Sequence, residues 1–265
     1  MICTDRESFN QAHFAVLQQS VVVAPFMDQH LNILRAEHQK KSEAWITRKH
    51  RNTFGDWLQL RMMRTNDTDC EQLQLLARGP SSQILSFHGY DINGYTFYTR
   101  RQDAKSSNQN SGVRIDAYDN TGRRKDTYYG VIEDILELNY GPLKVPLFRC
   151  QWVRLPRGVT VDRYNMVSVD LQDIGYKEEP FVLASAVTQI FYVRDMSNEG
   201  RHVVLQGKRR IVGVENAVDE DEYNQFEELP PFGGDFDATL IQDSQAAPHV
   251  RHDHQEGTYV TTKYV

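Results

Sequence analysis

Two short runs of basic residues have the composition of a nucleic-acid contact. Arg123, Arg124 and Lys125 follow a predicted turn, and Lys208, Arg209 and Arg210 end a predicted strand. Tyr128 and Tyr129 lie beside the first run, where phosphate contact and base stacking would be combined. Lysine and arginine at the ends of strands are also common as solubilising residues. Both interpretations stay open at this point.

Acidic residues are the next candidates for chemistry. Glu133, Asp134 and Glu137 lie in one apolar predicted strand, where Glu133 and Glu137 would share the outer face. A solvated strand face is the simpler interpretation, because a two-metal site needs another acid at a defined remote place.

The sequence predicts no metal site, cofactor or catalytic residue. It contains no Cys-x-x-Cys pair, no Gly-x-Ser-x-Gly nucleophile turn and no P-loop. His30 and His38 are two helical turns apart, and two histidines alone do not complete a zinc site. His249, His252 and His254 form a cluster near the end of the chain that would bind transition metals adventitiously.

Composition limits the class of protein. The chain has 265 residues, of which 40% are hydrophobic and 25% are charged, as in an ordinary globular protein. Three cysteines far apart argue against a disulfide framework and fit a reducing compartment. No run of 18 apolar residues occurs, so no membrane partner is expected.

Charge is distributed unevenly along the chain. Residues 1–78 and 79–214 carry small positive net charges, whereas residues 215–265 contain 12 acidic and only 2 basic side chains. An acidic, Pro- and Gly-containing segment of this kind is typical of a solvating irregular tail.

Periodicity divides the chain into elements. Helices are predicted at 24–41 and 45–62, and a short third helix begins at the capping box Thr68–Glu71 and ends at Gly79-Pro80. From Ser82 onward the period changes to two, which predicts strands. The predicted strands are 84–87, 95–99, 113–118, 127–138, 145–153, 166–171, parts of 181–193, and 202–206. The polar stretch 102–111 between them lacks apolar anchors and is predicted to be a mobile loop.

These elements predict an α+β protein in three parts. Residues 1–78 form a helical segment, residues 79–215 form a mainly antiparallel β domain, and residues 216–265 form an acidic, largely disordered tail. Several short strands without helices between them indicate a small, strongly curved sheet or barrel.

Several long motifs resemble a domain of unknown function in plant CACTA (En/Spm-type) transposon proteins. They include Phe87–Thr99, Gln109–Val113, residues 128–135, Val145–Val153 and Gly175–Phe181. Segments near both ends, among them residues 25–30, 51–57, 219–226 and 251–257, are similar to the regions that flank this domain. The resemblance implies a transposon-derived, nuclear protein. In that family the metal-dependent nuclease domain with its three carboxylates lies upstream of these motifs, so DNA cleavage is not expected of this chain.

The strand order is also similar to small SH3-like barrels of the bromo-adjacent-homology and Tudor kind. Those domains bind histone tails with exposed aromatic residues, so the likeness implies a candidate aromatic pocket of Tyr128, Tyr129, Trp152 and Tyr192. Such a pocket would hold a methylated lysine by cation–π contacts. The alternative is that these alternating aromatic residues fill the barrel core.

The expected function is therefore that of a non-catalytic accessory module of a transposase. Its expected partner is a histone tail or another transposon protein. The alternative is a DNA-contacting module that positions transposon ends. An independent nuclease is the third and least supported possibility, because no catalytic constellation is present.

Overall fold

The computed structural model describes residues 6–64, 70–118 and 124–207, and this part of the chain begins with four helices. They are α1 (Arg6–Gln18), α2 (Ala24–Glu37), α3 (Glu43–Arg64) and α4 (Glu71–Arg78). The predicted helices are confirmed as α2, α3 and α4, whereas the sequence pattern did not indicate α1. Within the residues described, no helix combines the length and the apolar character that crossing a membrane requires.

Strands dominate the rest of the described chain. The first eight are β1 (Leu85–Phe87), β2 (Gly89–Ile92), β3 (Tyr95–Tyr98), β4 (Gly112–Tyr118), β5 (Arg124–Asn139), β6 (Lys144–Val153), β7 (Val159–Val161) and β8 (Val167–Val169). Four more follow: β9 (Ile174–Gly175), β10 (Phe181–Leu183), β11 (Thr188–Arg194) and β12 (His202–Gln206). A short helix α5 (Arg100–Asp103) follows β3, and a 3-10 turn (Ala184–Ala186) follows β10.

Ten of these strands form one antiparallel sheet that curls into a half-barrel. Its main path runs β10-β6-β5-β4-β11-β12-β8-β7, with β1 paired to the end of β5 and β9 paired to the end of β6. The hairpin β2–β3 is a separate two-stranded sheet. The chain is therefore an α+β protein, as the sequence predicts.

Strand β5 connects the two halves of the sheet. Its first half pairs with β4, and its second half pairs with β6 from Gly130 opposite Trp152 to Asn139 opposite Lys144. The register shifts between Ile132 and Asp134, so Glu133 is the extra residue of a β-bulge. A bulge bends the strand and increases its twist, which lets one long strand serve two differently oriented halves.

The hydrophobic core has three parts. Under the helices, Phe54, Leu58 and Leu76 pack in one cluster with Leu138 and Leu147 of the sheet. A second cluster lies between the β2–β3 hairpin and the middle of the sheet, and a third fills the inside of the curl. The first cluster crosses the predicted boundary after residue 78, so helices and sheet bury apolar surface together.

Polar contacts also fix the helical layer to the sheet. The guanidinium of Arg51 on α3 binds the carboxylates of both Glu178 and Glu179 in the turn between β9 and β10. At the edge strand β10, the amide of Leu183 donates to the side-chain oxygen of Gln19, 3.4 Å away. The side of the sheet next to the helices is thus covered and capped.

Candidate functional site

The four aromatic residues of the predicted pocket lie on different faces of the sheet. Neighbouring residues of a strand point to opposite faces, so Tyr128 and Tyr129 cannot line the same pocket. Trp152 belongs to the cluster under the β2–β3 hairpin, and Tyr128 packs against that cluster. Tyr129 and Tyr192 belong to the cluster inside the curl.

Three of the four rings are core residues, and the polar atoms of two of them bond to backbone carbonyls. Tyr129, Trp152 and Tyr192 are only 6%, 4% and 7% exposed. The Tyr192 hydroxyl donates to the Gly130 carbonyl at 2.9 Å, and the indole N–H of Trp152 donates to the Pro180 carbonyl at 3.3 Å. Burial raises the pKa of Tyr192 well above its usual value. Three of the four rings therefore lie in the core, and Tyr128 lies on the face opposite Tyr129 rather than beside it around one open pocket.

Gly130 on β5 lies opposite Trp152 on β6 and makes room for the indole ring. A Cβ at Gly130 would lie 2.6 Å from Cε3 of Trp152, closer than real Cβ contacts. The indole therefore lies directly over the glycine backbone, and only glycine permits that approach.

Tyr128 has a different aromatic partner, Tyr176, which is absent from the predicted pocket. The two rings meet edge to face, with centroids 5.2 Å apart and an interplanar angle of 80°. The pKa of Tyr128 is raised by burial first, and then by Tyr176 and the nearby carboxylates of Asp126 and Glu179. In the sequence, Tyr176 lies inside Gly175–Phe181, one of the motifs that carry the resemblance, and this position is the signal that could have indicated it.

The backbone of Tyr176 is in the left-handed region, with φ at +52°. This conformation costs a non-glycine residue about 1–2 kcal/mol, so the surrounding contacts must hold it. The Glu179 amide donates to the Tyr176 carbonyl at 2.9 Å, and Arg51 binds the two carboxylates of the same turn. Strained residues of this kind cluster at functional sites.

A cleft lies where the curl stays open, and we call it the edge cleft. It has a volume of about 570 Å³. One wall comes from β4 and β5, and the other is an apolar wall around β7 and β8. Its lining residues are Arg114, Asp126, Thr127, Tyr129, Leu155, Pro156, Val159, Val161, Asn165 and Val167.

Two strand edges meet at the edge cleft. Strand β7 is the last of the sheet path and has β8 as its strand neighbour. Pairing of β5 with β6 starts only at Gly130, so Asp126, Thr127 and Tyr128 have β4 as their strand neighbour within the described residues. Strand edges with a neighbour on one side are templates for pairing with another chain.

The polar segment 102–111, predicted to be a mobile loop without apolar anchors, is held in the structure by hydrogen bonds from polar side chains. The Thr99 hydroxyl caps α5 by accepting the amide of Gln102 at 3.3 Å. The Asp103 carboxylate accepts the amides of Asn110 and Ser111 at 3.0 and 2.8 Å, which closes the loop. The loop borders a second groove of about 400 Å³ beside Trp152 and Tyr192.

The acidic residues of β5 do not share a solvated face. Glu137 is only 1% exposed, whereas Glu133 sits at the bulge and forms an ion pair with Arg100 at 3.5 Å. The bulge explains the difference, because the extra residue changes which side chains face the solvent. Among residues 6–64, 70–118 and 124–207, no group of three His, Cys, Asp or Glu side chains is arranged to hold a metal ion.

A pair of buried histidines lies between α2 and α3. The Nδ1 atoms of His30 and His50 are 2.8 Å apart, and the rings pack against Phe54 and Trp57. One hydrogen bond between two such atoms requires one Nδ1 to carry a proton and the other to offer a lone pair. Burial lowers the pKa of His50 to about 4, with His30 as the next cause. The pair is therefore neutral near pH 7.

The predicted basic clusters fall largely outside the described residues. Arg123, Lys208, Arg209 and Arg210 lie in undescribed segments. Arg124 and Lys125 begin strand β5, but their side chains are likewise not described. The same holds for the acidic tail and for His249, His252 and His254. The predicted contact of the two basic clusters with nucleic acid stays a prediction.

Comparison with known proteins gives one family match. The model of a domain of unknown function (DUF4216) matches residues 136–204, which run from the end of β5 through most of β12. The match includes Trp152, Tyr176 and Tyr192 and leaves Tyr128 outside. No curated protein and no solved structure matches the chain.

Proposed function

We propose that the chain is a non-catalytic interaction module of a transposon-encoded protein of the CACTA type, and that it acts in the nucleus. Its partner in this proposal is an extended segment of a histone tail or of another transposon protein. Two observations support the assignment to transposon proteins. The long motifs quoted above resemble that family, and the matched domain is one found in plant transposase-like proteins.

The curled antiparallel sheet supports a finer proposal about the fold. We place the β domain with the small SH3-like barrels of the bromo-adjacent-homology and Tudor kind. Support comes from the strand order along the chain and from the strong bend of β5 at its bulge. This is an analogy at the level of the fold, so the function must be argued from the site.

The observation that carries the proposed function is the pair of strand edges at the edge cleft. An extended peptide that pairs with β5 at Asp126–Tyr128 would form backbone hydrogen bonds of the kind that join strands. Alternate side chains of that peptide would enter the cleft and meet the apolar wall of Val159 and Val161. Backbone pairing supplies affinity in such complexes, and the side-chain contacts supply selectivity.

The experiment uses the whole chain, because the helices and the sheet share a core. The probe is an array of histone-tail peptides together with a random library of short peptides, and any hit is then titrated by fluorescence anisotropy. Hydrogen exchange of the complex locates the contact. Amides of residues 126–128 and 159–161 are expected to gain protection when the peptide pairs with these edges.

A matched pair of variants tests the role of the cleft. Val161 in the cleft and Val193 on the outer face of β11 are 59% and 49% exposed, so either can change to lysine without emptying the core. Val161→Lys is expected to weaken peptide binding by about tenfold or more, and Val193→Lys by less than about twofold. Equal effects of the two variants, or no peptide bound at high micromolar concentration, would contradict the proposal.

A DNA-contacting role is the second candidate, and one observation favours it. Lys40, Lys41 and Lys49 are exposed around the turn between α2 and α3, with the Lys41 ammonium 5.4 Å from the centre of the Trp45 ring. Basic residues beside an aromatic face suit phosphate contact combined with stacking. A gel shift with transposon terminal-repeat DNA across a salt series tests this role. Absence of binding at low salt excludes a phosphate-based mode.

A further inference from the structure

A peptide strand paired with β5 would present its other alternate side chains to the opposite face of the sheet. Thr127 and Tyr129 point toward the edge cleft, whereas Tyr128 packs against the cluster under the β2–β3 hairpin on the other side. Strand alternation turns the side chain of Asp126, a residue that also borders the cleft, to the same side as Tyr128. On that side the peptide residue next to Tyr128 would meet Tyr176 as well. The surroundings of these two rings therefore decide which peptide residue fits there.

We propose that Tyr128 and Tyr176, together with the carboxylates of Asp126 and Glu179, bind a cationic side chain of the peptide, an ammonium or guanidinium group with or without methyl groups. This inference rests on the proposed pairing of a peptide with β5. It assigns a second contact, on the face opposite the edge cleft, and it names the chemistry of the peptide residue that this contact selects.

The geometry of the two rings favours a cation. Two rings that meet edge to face at 5.2 Å form a corner, because the ring that presents its edge does not use its own faces in this contact. The negative face of an aromatic ring attracts a cation within about 6 Å of its centroid. Tyr176 is 38% exposed, so a ligand can reach this corner from solvent.

Carboxylates next to the corner add charge complementarity. Asp126 is two residues from Tyr128 on the same strand, and the Glu179 amide donates to the Tyr176 carbonyl, so one carboxylate belongs to the neighbourhood of each ring. Both carboxylates also raise the pKa of Tyr128. Glu179 also binds Arg51, so part of its charge is already neutralised, and Asp126 is left as the stronger partner of an incoming cation. Arg51 is a positioning residue here, because it holds the turn that presents Tyr176.

Tyr164 provides a natural comparison within the same chain. It is more exposed than Tyr176, but the guanidinium carbon of Arg163 already lies 4.7 Å from its ring centre. An added cation should therefore bind at Tyr128 and Tyr176 in preference to Tyr164. That difference makes Tyr164 a control that shares the side-chain type and lacks the corner.

The test titrates the whole chain, labelled with 3-fluorotyrosine, with tetramethylammonium chloride while fluorine NMR follows each tyrosine. The signals of Tyr128 and Tyr176 are expected to shift with saturation, and tert-butyl alcohol, a neutral compound of similar size, should leave them in place. Tyr176→Gly keeps the positive φ without strain and should weaken binding by about fivefold or more. Tyr164→Ala should leave binding unchanged. Equal shifts with the neutral compound, or undiminished binding in Tyr176→Gly, would overturn the cation site.

A second arm separates this inference from the proposed function. Peptides bound by the chain are resynthesised with each lysine or arginine replaced by norleucine. The cation site is supported if replacing one basic residue of the peptide lowers its affinity for the native chain and does not lower its affinity for the Asp126→Asn variant. Peptides that still protect the amides of residues 126–128 but show no preference for a basic residue would refute the cation site and leave strand pairing intact. Binding of tetramethylammonium without any peptide contact at β5 would refute strand pairing alone.

Discussion

The two halves of the curled sheet differ in how their surfaces are covered. In the helix-covered half, formed by β1, β10, the start of β6 and the end of β5, apolar side chains pack against α1, α3 and α4. In the open half, formed by β4, β11, β12, β8 and β7, the sheet packs mainly against itself. Its last strand, β7, has β8 as its one strand neighbour within the described part of the chain. The same strand, β5, runs through both halves.

Stability and recognition are therefore located in different halves of this molecule. Buried apolar area stabilises the helix-covered half, and the side chain of Gln19, just after α1, caps the edge at β10. The open half keeps a strand edge, an apolar wall and exposed aromatic residues, which are features common in peptide-binding surfaces. Changes in the first half should therefore alter folding, and changes in the second should alter binding.

Removal of the helices is expected to have the largest effect. A chain that begins at residue 79 would expose Leu138, Leu147 and their neighbours, which pack against the helices in the whole protein. We expect loss of cooperative unfolding, measured by circular dichroism and calorimetry, and association through the exposed face. A cooperative transition in the shortened chain would instead support the predicted domain boundary after residue 78.

Single substitutions compare the two halves directly. Phe54 is completely buried under the helices, and Phe54→Ala is expected to lower the free energy of unfolding by about 3–5 kcal/mol, because it leaves a cavity. Val161→Ala at the exposed edge should change it by less than about 0.5 kcal/mol. Urea denaturation of both variants measures these effects. Similar losses in the two variants would mean that the open half is packed as tightly as the covered one.

Local patterns predicted most elements of both halves, and the misses have physical causes. Strands β5 and β6 are long and apolar enough to be found from periodicity, whereas β7 and β9 have only three and two residues and leave no pattern. Strand alternation alone already shows that Tyr128 and Tyr129 face opposite ways, so the pocket of four rings could have been rejected from the sequence. The contact of Tyr128 with Tyr176 could not be predicted, because it depends on a left-handed backbone and on Arg51 from a distant helix.

Buried histidines make the helix-covered half sensitive to pH. Burial lowers the pKa values of His13 and His50 to about 4, and it also lowers the pKa of His30. For His30, Glu37 opposes this shift and Lys49 adds to it. The His13 imidazole bonds the Tyr140 hydroxyl at 2.8 Å, so it joins a helix to the sheet. In the unfolded chain these histidines take up protons near pH 6.5.

Because the folded pKa values are the lower ones, protons bind preferentially to the unfolded chain. The free energy of unfolding should be highest above pH 6.5 and should fall as the pH is lowered from 6.5 toward 4, by at most about 1.4 kcal/mol per pH unit for each histidine. Urea denaturation between pH 7 and pH 5 measures this slope, above the range in which the carboxylates titrate. His50→Gln should reduce the slope, since one depressed histidine is gone, even though the variant is less stable at pH 7. An unchanged slope would mean that His50 is protonated as readily in the folded helices as in the unfolded chain, and the helix-covered half would then be more open to water than its packing indicates.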